Sequence, residues 1–290
     1  MSYYDQTFEP WKIVDGKCVV ADESEWEKLG PLDDQSTFRD EGEPRPIVKV
    51  TDIFEDVEGP VVNSKGKILK ETLLGTGYVS MKHHDDDPPL TINDLLTRMF
   101  QTIGDTPHGD YLIVTKHPEL VRSKWPTEEG YREGRPVGPA IPIPKGNVTL
   151  ATYVETQNDI ERLVPELLKC HDLCKGLEVI CNPTEKLDFI FKPLLGKPEG
   201  YTNFAIEYLS RIIAEGNEHP IHPQWLRSLR DQCKDVVPFN FAGWGRWAPV
   251  YDPGDFLGAA LNDEHAGHQD TGKERSGRLL DGQEHNGRLA

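Results

Sequence analysis

Short apolar runs alternate with segments of helical periodicity along this sequence, and that alternation limits the fold more than any other feature. The runs are rich in β-branched residues and have the length of strands covered on both faces. The segments between them repeat their apolar residues every three to four positions, as amphipathic helices do. The predicted strands cover 47–50, 111–115, 148–154, 177–181 and 237–241, and the predicted helices cover 91–104, 158–168 and 222–233.

A parallel topology follows from this alternation, because strands separated by helices pair in parallel through right-handed crossovers. We therefore predict one α/β domain over residues 1–261, built as a partial or open parallel (β/α) barrel. Residues 55–90, rich in glycine, proline and charged residues, predict an inserted hairpin and loop. The polar residues 262–290 predict a C-terminal tail. Residues 201–216 fit either one helix or a strand at 211–214.

The sequence is strongly acidic, with 32 Lys and Arg against 49 Asp and Glu and a net charge of −17. Such a surface repels phosphate backbones, so we expect no nonspecific nucleic-acid binding. The acidic surface can serve solubility alone, or it can bind a basic partner. No stretch approaches the ~20 apolar residues of a membrane helix, and the first residues lack the features of a signal peptide. We therefore expect a cytoplasmic protein without membrane contact, and its oligomeric state stays open.

Five cysteines, an odd number in a chain of this length, do not predict a disulfide framework. Cys170, Cys174 and Cys181 form the closest group, with the spacing C-x3-C-x6-C. Cys170 and Cys174 have the spacing of neighbours on a helix, whereas Cys181 ends a predicted strand. Buried small apolar side chains explain all three, and a metal site is the alternative.

Polar residues lie at the carboxyl ends of the predicted strands, where parallel α/β sheets and barrels bind their ligands. Lys116 can bind a phosphate or a carboxylate there, and Glu155 and Glu215 can act as general bases or metal ligands. The other interpretation is that these side chains only face solvent. The full set is Asp52, Lys116, Glu155, Asn182, Glu215 and Asn240.

Two histidines near the start of the last predicted helix form a weak candidate metal site. His219 and His222 lie three residues apart, with Glu215 and Glu218 nearby. Two imidazoles and a carboxylate can bind a divalent metal. His222 also fits a structural role at the start of its helix.

The densest group of basic and aromatic residues lies between 225 and 247. Arg and Trp together can stack on a base or bind a phosphate. Arg227, Arg230, Trp244 and Trp247 are therefore candidate ligand-binding residues. The sequence contains neither a glycine-rich phosphate loop nor a nucleophile elbow.

Several segments, in the same order, resemble a bacteriophage-borne family of largely uncharacterised proteins with a radical-SAM-like, three-cysteine N-terminus. The most specific block is the helix 222–233 followed by a Trp-Gly-x-Trp segment. The resemblance implies a radical-SAM-like, TIM-like partial barrel. It also adds Gln157, from one matching segment, to the candidate ligand-binding residues. The matching segments are 5–11, 51–54, 112–118, 147–150, 154–157, 222–233, 237–241, 244–249 and 277–282.

The differences between this sequence and that family change which cofactors we expect the protein to bind. The family has a C-x6-C-x2-C cluster loop soon after its first matching segment, whereas only Cys18 lies near that place here. Two of the three thiolates are absent, so we expect neither a [4Fe–4S] cluster nor S-adenosylmethionine. The family's glycine-rich stretch is reduced at 214–218, and Ala242 and Gly243 replace its Lys and Gln. The sequence leaves a divalent metal as the one cofactor that it does not argue against.

These losses imply a repurposed active site or a pseudoenzyme. The first hypothesis is a cluster-less, phage-type binding or interaction protein that recognises a nucleotide-like ligand or a host protein in the host cytoplasm. The alternative is an enzyme that hydrolyses or transfers a group on a nucleotide-type substrate by metal-assisted or acid–base chemistry. Its catalytic residues would be Lys116, Glu155, Glu215 and His222. A gene product with no selected activity is the third hypothesis.

Overall fold

The structure is a computed structural model, and its described residues form four helices and fifteen strands. The described residues are 6–8, 11–15, 17–20, 47–51, 53–54, 61–62, 65, 68, 89, 91–105, 109–125, 131–132, 135–136, 146–189, 209–216, 218–250, 267–271 and 279–285. The helices are α1 (Ile92–Asp105), α2 (Pro118–Lys124), α3 (Gln157–Leu168) and α4 (Pro223–Cys233). The strands are β1 (Gln6–Phe8), β2 (Trp11–Val14), β3 (Lys17–Val20), β4 (Ile47–Thr51), β5 (Asp110–Thr115), β6 (Tyr131–Arg132), β7 (Arg135–Pro136), β8 (Val148–Val154), β9 (Gly176–Cys181), β10 (Leu209–Glu215), β11 (Phe239–Gly243), β12 (Trp247–Val250), β13 (Gly267–Asp270), β14 (Leu279–Leu280) and β15 (Gln283–Glu284).

Seven strands form one sheet in the order β1-β4-β5-β8-β9-β10-β11, which is their order along the chain. β1 with β4, β4 with β5, β9 with β10 and β10 with β11 pair in parallel. β8 and β9 also run in parallel, since Lys175 N–H donates to Val148 O near their starts and Asn182 N–H donates to Val154 O at their ends. The other strands form antiparallel pairs. The predicted α/β class, with a parallel sheet and helices, is confirmed.

The chain divides into two compact units, and the boundary falls inside β8. The N-terminal unit contains residues 3–150 and 173–175. Its core includes Phe100 of α1, whose ring centroid lies 4.8 Å from that of Trp125. Phe54 stacks on the same indole at 6.4 Å. These three aromatic rings thus pack together in a core that is otherwise largely aliphatic, with Leu96 and Ile113 among its buried side chains.

The C-terminal unit contains residues 151–172 and 176–290. Its helix α3 begins at a capping box, in which Thr156 Oγ1 accepts the N–H of Asp159 and the Asp159 carboxylate accepts the N–H of Thr156. Burial raises the pKa of Asp159. Hydrogen bonds from Thr156 and from the N–H of Glu155, with the charge of Arg162, outweigh burial and lower that pKa below its usual value.

The predicted helices and strands are confirmed, with small changes at their ends. The segment left open at 201–216 contains β10, and its residues 201–208 lie outside the described part of the chain. β11 begins at Phe239, two residues later than predicted. Pro238 has no N–H to donate, and its carbonyl accepts the N–H of Ile212 instead.

The two segments that break the alternation are only partly described. Residues 262–290, expected to be a tail, contain β13, β14 and β15. Most of the predicted insertion at 55–90 lies outside the described residues, although Val62 forms bridges with Val19 and Ile68. None of the described helices is long and apolar enough to cross a membrane.

Candidate functional site

Three strands of the C-terminal unit end side by side with polar residues. Asn182 N–H donates to Val154 O, which aligns the end of β8 with the end of β9, and the end of β9 registers with the end of β10. Glu155, Asn182 and Glu215 therefore lie in one row at the carboxyl ends of these strands. With ~4.8 Å between neighbouring strands, about 10 Å separates the backbones of Glu155 and Glu215. We call these three residues the edge row.

Polar side chains continue from the edge row along one face of β9, β10 and β11. Glu178 lies beside Arg211, and Asn240 lies beside Ile213, in the register of the strands. Alternate residues of a strand share a face, so Glu178, Arg211 and Asn240 lie on the same face, which we call the polar face. Arg211 Nη2 is 3.1 Å from Glu178 Oε1, and the glutamate side chain is 5% exposed.

Within the polar face, Asn240 lies closest to the carboxyl ends of the strands. It is 2% exposed, and its Oδ1 has no hydrogen-bond partner among the described residues. A buried carbonyl oxygen without a partner costs about 1–3 kcal/mol, and folded proteins keep few of them. Asn240 therefore presents a hydrogen-bond acceptor on the face that leads to the edge row.

The opposite face of these strands carries Cys181, near Cys233 of α4, and both thiols are buried. Burial raises the pKa of Cys181 well above its usual value, and the negative charges that Cys233 and Glu215 carry when ionised raise it further. Burial also raises the pKa of Cys233 to about 12. Both thiols are protonated near neutral pH, and a protonated thiol is a poor metal ligand and a poor nucleophile.

Hydrogen bonds of Gln157 connect the segment after β9 to the start of α3. Its Nε2 donates to Asp188 O at 3.0 Å, and its Oε1 accepts the N–H of Asp188 at 2.8 Å. Its backbone N–H donates to Glu185 Oε1 at 2.6 Å. We predicted from the sequence that Gln157 binds a ligand. In the structure, its side-chain amide is hydrogen-bonded to the protein's own backbone at Asp188.

The two predicted metal-binding histidines lie in the loop between β10 and α4. His222 is the N-cap of α4, where its Nδ1 accepts the N–H of Gln224 at 3.2 Å. His219 is exposed. Within the described ranges, no group of three His, Cys, Asp or Glu side chains is arranged to hold a metal ion. A metal at His219 and His222 stays a prediction, with Nε2 as the nitrogen that His222 can offer.

Two predicted strand-end residues do not belong to the edge row. Lys116 is exposed and follows β5 in the N-terminal unit. Asp52 lies outside the described residues. The catalytic set predicted from the sequence is therefore divided between the units, with Glu155, Glu215 and His222 in the C-terminal unit.

Arg227 and Arg230 hold the C-terminal hairpin β14–β15 through one carboxylate. Arg227 Nε donates to Asp281 Oδ1 at 2.8 Å, and Arg230 Nη1 donates to Asp281 Oδ2 at 2.6 Å. Burial raises the pKa of Asp281, but the hydrogen bonds and charges of the two arginines outweigh it and lower that pKa below its usual value. Arg227 and Arg230, which we predicted to bind a ligand, therefore form ion pairs with Asp281 of the protein's own hairpin.

The two predicted ligand-binding tryptophans also contact the protein itself. Trp244 is 4% exposed, and its Nε1 donates to Leu279 O at 3.0 Å. Trp247 is half-buried, and its Nε1 donates to Glu218 O at 2.7 Å. Each indole thus uses its single N–H donor on a backbone carbonyl.

The attachment of the hairpin is expected to weaken in acid. Because the folded-state pKa of Asp281 lies below its usual value, its contribution to stability is present at neutral pH and is lost as the pH falls below about 4. We expect Asp281→Asn to lower the free energy of unfolding by about 1 kcal/mol at pH 7, since the carboxylate is partly exposed and screened. Urea denaturation of the two proteins at several pH values measures the difference.

Asp231→Asn is the matched control, because Asp231 also contacts Arg230, at 2.9 Å, but is 66% exposed. Its effect at pH 7 should be smaller than that of Asp281→Asn. A stability difference between Asp281→Asn and the wild type that stays constant from neutral to acid pH would contradict the assigned role of Asp281.

Sequence reasoning missed the Glu178–Arg211 pair, although a signal for it exists. Glu178 interrupts an apolar strand, and Arg211 interrupts the next one. Glutamate is rarely buried unless it has a partner, so a charged residue inside each of two neighbouring apolar strands indicates a buried pair. The register that places them side by side is not visible in the sequence.

Comparisons with known proteins give one result. A family described as "Protein of unknown function (DUF5131)" matches residues 87–288, more than half of the chain. No curated protein and no solved structure matches.

Proposed function

Because the chain belongs to the DUF5131 family, whose description assigns no activity, we propose a function from the site itself. The protein is a binding protein that takes a small nucleotide-like ligand on the polar face, at the carboxyl ends of β9, β10 and β11. The observation that carries this proposal is the buried Oδ1 of Asn240, which has no partner among the described residues.

Asn240 supports ligand binding because burying its Oδ1 without a hydrogen-bond partner costs free energy in the unliganded protein. A bound group that donates a hydrogen bond to Oδ1 removes the cost of burying an unsatisfied oxygen. The carboxyl ends of parallel strands are also where α/β proteins bind their ligands.

An aromatic ring near the polar face supports a ligand that contains a base. The alignment of β8 with β9 places Tyr153 beside Ile180, on the face that carries Glu178. Tyr153 is half-buried, so its ring is accessible in part. Aromatic rings stack on nucleic-acid bases whatever the base, which suits a nucleotide-like ligand.

The finer fold assignment is part of the same proposal. A sheet whose strands follow chain order without reversal supports a partial or open (β/α) barrel, since a doubly wound sheet reverses its order at a switch point. The resemblance to radical-SAM-like phage proteins supports a phage-type protein that works in the host cytoplasm without an iron–sulfur cluster.

Asn240→Leu tests the proposal, because it removes the amide and keeps a similar side-chain volume. We expect the free energy of unfolding to rise by about 1 kcal/mol, since an unsatisfied buried oxygen is gone. We expect nucleotide binding to fall at least about tenfold, the loss of one hydrogen bond to a buried acceptor. Thermal denaturation and isothermal titration calorimetry measure the two quantities.

Asn158→Leu serves as the control, since Asn158 lies exposed on α3 and should change neither quantity. If Asn240→Leu destabilises the protein, Asn240 is a structural residue and the argument for the site fails. If the wild-type protein binds no nucleoside or nucleotide, the proposed ligand class is wrong.

A further inference from the structure

A cavity of about 250 Å³ lies beside the end of α4. Its walls come from the end of α4, from the turn that joins α4 to β11, from Phe239 at the start of β11 and from His285 after β15. Phe239 and Asn240 are consecutive residues of one strand, so their side chains lie on opposite faces of the sheet. The cavity is therefore separate from the polar face, and an inference about it does not rest on the proposed nucleotide-like ligand.

The buried part of the cavity lining is apolar. It consists of Cys233, Val237 and Phe239. The ring of His285 packs edge-on against the ring of Phe239, with 5.9 Å between the two centroids. Apolar surface of a ligand is removed from water here, which favours binding. The volume is slightly below the ~300–1,000 Å³ that is usual for ligand pockets, so the cavity suits a small molecule.

The exposed part of the lining carries charges of both signs. Arg230 and Asp231 form an ion pair with each other at 2.9 Å. Lys234 and Asp235 also line the cavity, are exposed, and form no ion pair with any described residue. A ligand that carries one positive and one negative group can therefore pair with Asp235 and Lys234 at once.

The backbone at Asp235 supports a role for its carboxylate. Lys234 is the C-cap of α4, and Asp235 follows it with a φ of 64°. Glycine is the usual residue in this left-handed position after a helix, and asparagine comes next. A negative charge beside the C-terminus of a helix is also unfavourable, because the helix dipole is negative there. An aspartate that the fold disfavours on two grounds indicates a function for its carboxylate.

We propose that this cavity binds a free α-amino acid with an apolar or aromatic side chain. The ammonium group lies beside Asp235 and the C-terminus of α4, where both the carboxylate and the helix dipole stabilise a positive charge. The carboxylate of the ligand pairs with Lys234, and its side chain packs against Phe239 and Val237. An α-amino acid carries its two charges on one carbon, which matches opposite charges on consecutive residues of the protein.

Calorimetric titration of phenylalanine, leucine and analogues that lack one charged group tests the proposal. The amine analogues, 2-phenylethylamine and 3-methylbutylamine, lack the carboxylate. The acid analogues, 3-phenylpropionate and 4-methylpentanoate, lack the ammonium group. We expect at least one of the two amino acids to bind about tenfold more tightly than either of its analogues, because each analogue loses one charge-assisted hydrogen bond.

Two substitutions assign the charges to residues. Asp235→Asn keeps a side chain that suits the left-handed backbone and removes the carboxylate, so it should weaken the amino acid about tenfold without weakening the acid analogue. It should also raise the melting temperature slightly, since a negative charge leaves the C-terminus of α4. Lys234→Met should weaken the amino acid about tenfold without weakening the amine analogue.

Each substitution has a matched control that should leave the affinity unchanged. Asp15→Asn matches Asp235→Asn, because Asp15 is exposed and has a φ of 50° in the turn between β2 and β3. Lys169→Met matches Lys234→Met, because Lys169 is the exposed C-cap of α3.

Three results would overturn the proposal. In the first, neither amino acid binds the wild-type protein. In the second, an analogue that lacks one charge binds as tightly as its amino acid. In the third, Asp235→Asn and Lys234→Met leave the affinity for the amino acid unchanged. A lower melting temperature of Asp235→Asn would show that Asp235 stabilises the fold, and the argument from its backbone would fail.

Discussion

Replacing Arg211 by methionine is expected to lower the free energy of unfolding by about 3–5 kcal/mol, because the buried carboxylate of Glu178 then loses its guanidinium partner. The two side chains lie 3.1 Å apart, with 20% of the arginine and 5% of the glutamate exposed. The attraction between two charges is strong where water is scarce, and an ionised group left alone there is costly. Urea denaturation of Arg211→Met and the wild type measures the loss.

Two further variants test the explanation. The double variant Glu178→Leu/Arg211→Met should recover most of the lost stability, because apolar residues can replace a buried ion pair at little cost. Arg162→Met is the matched control: Arg162 is 55% exposed and lies 3.8 Å from Asp159, so its loss should cost less than about 1 kcal/mol. Equal losses for Arg211→Met and Arg162→Met would show that the Glu178–Arg211 pair behaves as an exposed one.

Gly216→Ala is the second substitution with a large expected effect, about 3 kcal/mol of destabilisation or more. A Cβ at Gly216 would lie 1.9 Å from Trp244 O and 2.0 Å from the carbonyl carbon of Trp244. Both are backbone atoms, so no side chain can turn away to make room. The N–H of Gly216 also donates to Gly243 O at 2.7 Å, which fixes the close approach of the two chain segments.

Gly146→Ala is the matched control, because a Cβ at Gly146 meets nothing within 4 Å. We expect it to change the free energy of unfolding by less than about 1 kcal/mol. Melting temperatures and urea midpoints of the two variants give the comparison. A Gly216→Ala protein as stable as Gly146→Ala would mean that the chain at Gly216 and Trp244 can separate at little cost.

The regular elements were predictable because their signals are local. The apolar run at 148–154 is β8, and the helical periodicity that starts at 222 is α4. The segment 201–216 carried both kinds of signal, so local pattern could not decide it. Only its pairing with β9 and β11 shows that 209–215 is a strand.

The candidate site was predictable only where it depends on topology. Parallel pairing brings the backbones of Glu155, Asn182 and Glu215 side by side whatever their side chains do, so the strand ends predicted which residues are neighbours. The role of Arg227 was not predictable in this way, because its partner Asp281 lies 54 residues further along the chain. A cluster of Arg and Trp in the sequence has the same composition whether it binds a ligand or the protein's own hairpin.

The contact between β11 and the residue after β15 also bears on aggregation. β11 is the last strand in the order of the sheet, and the N–H of Phe241 donates to His285 O. An outermost strand with open backbone groups can pair with a strand of another molecule, and natural proteins cover or interrupt such strands. The C-terminal residues thus occupy a backbone donor through which copies of this chain could otherwise add to one another's sheets.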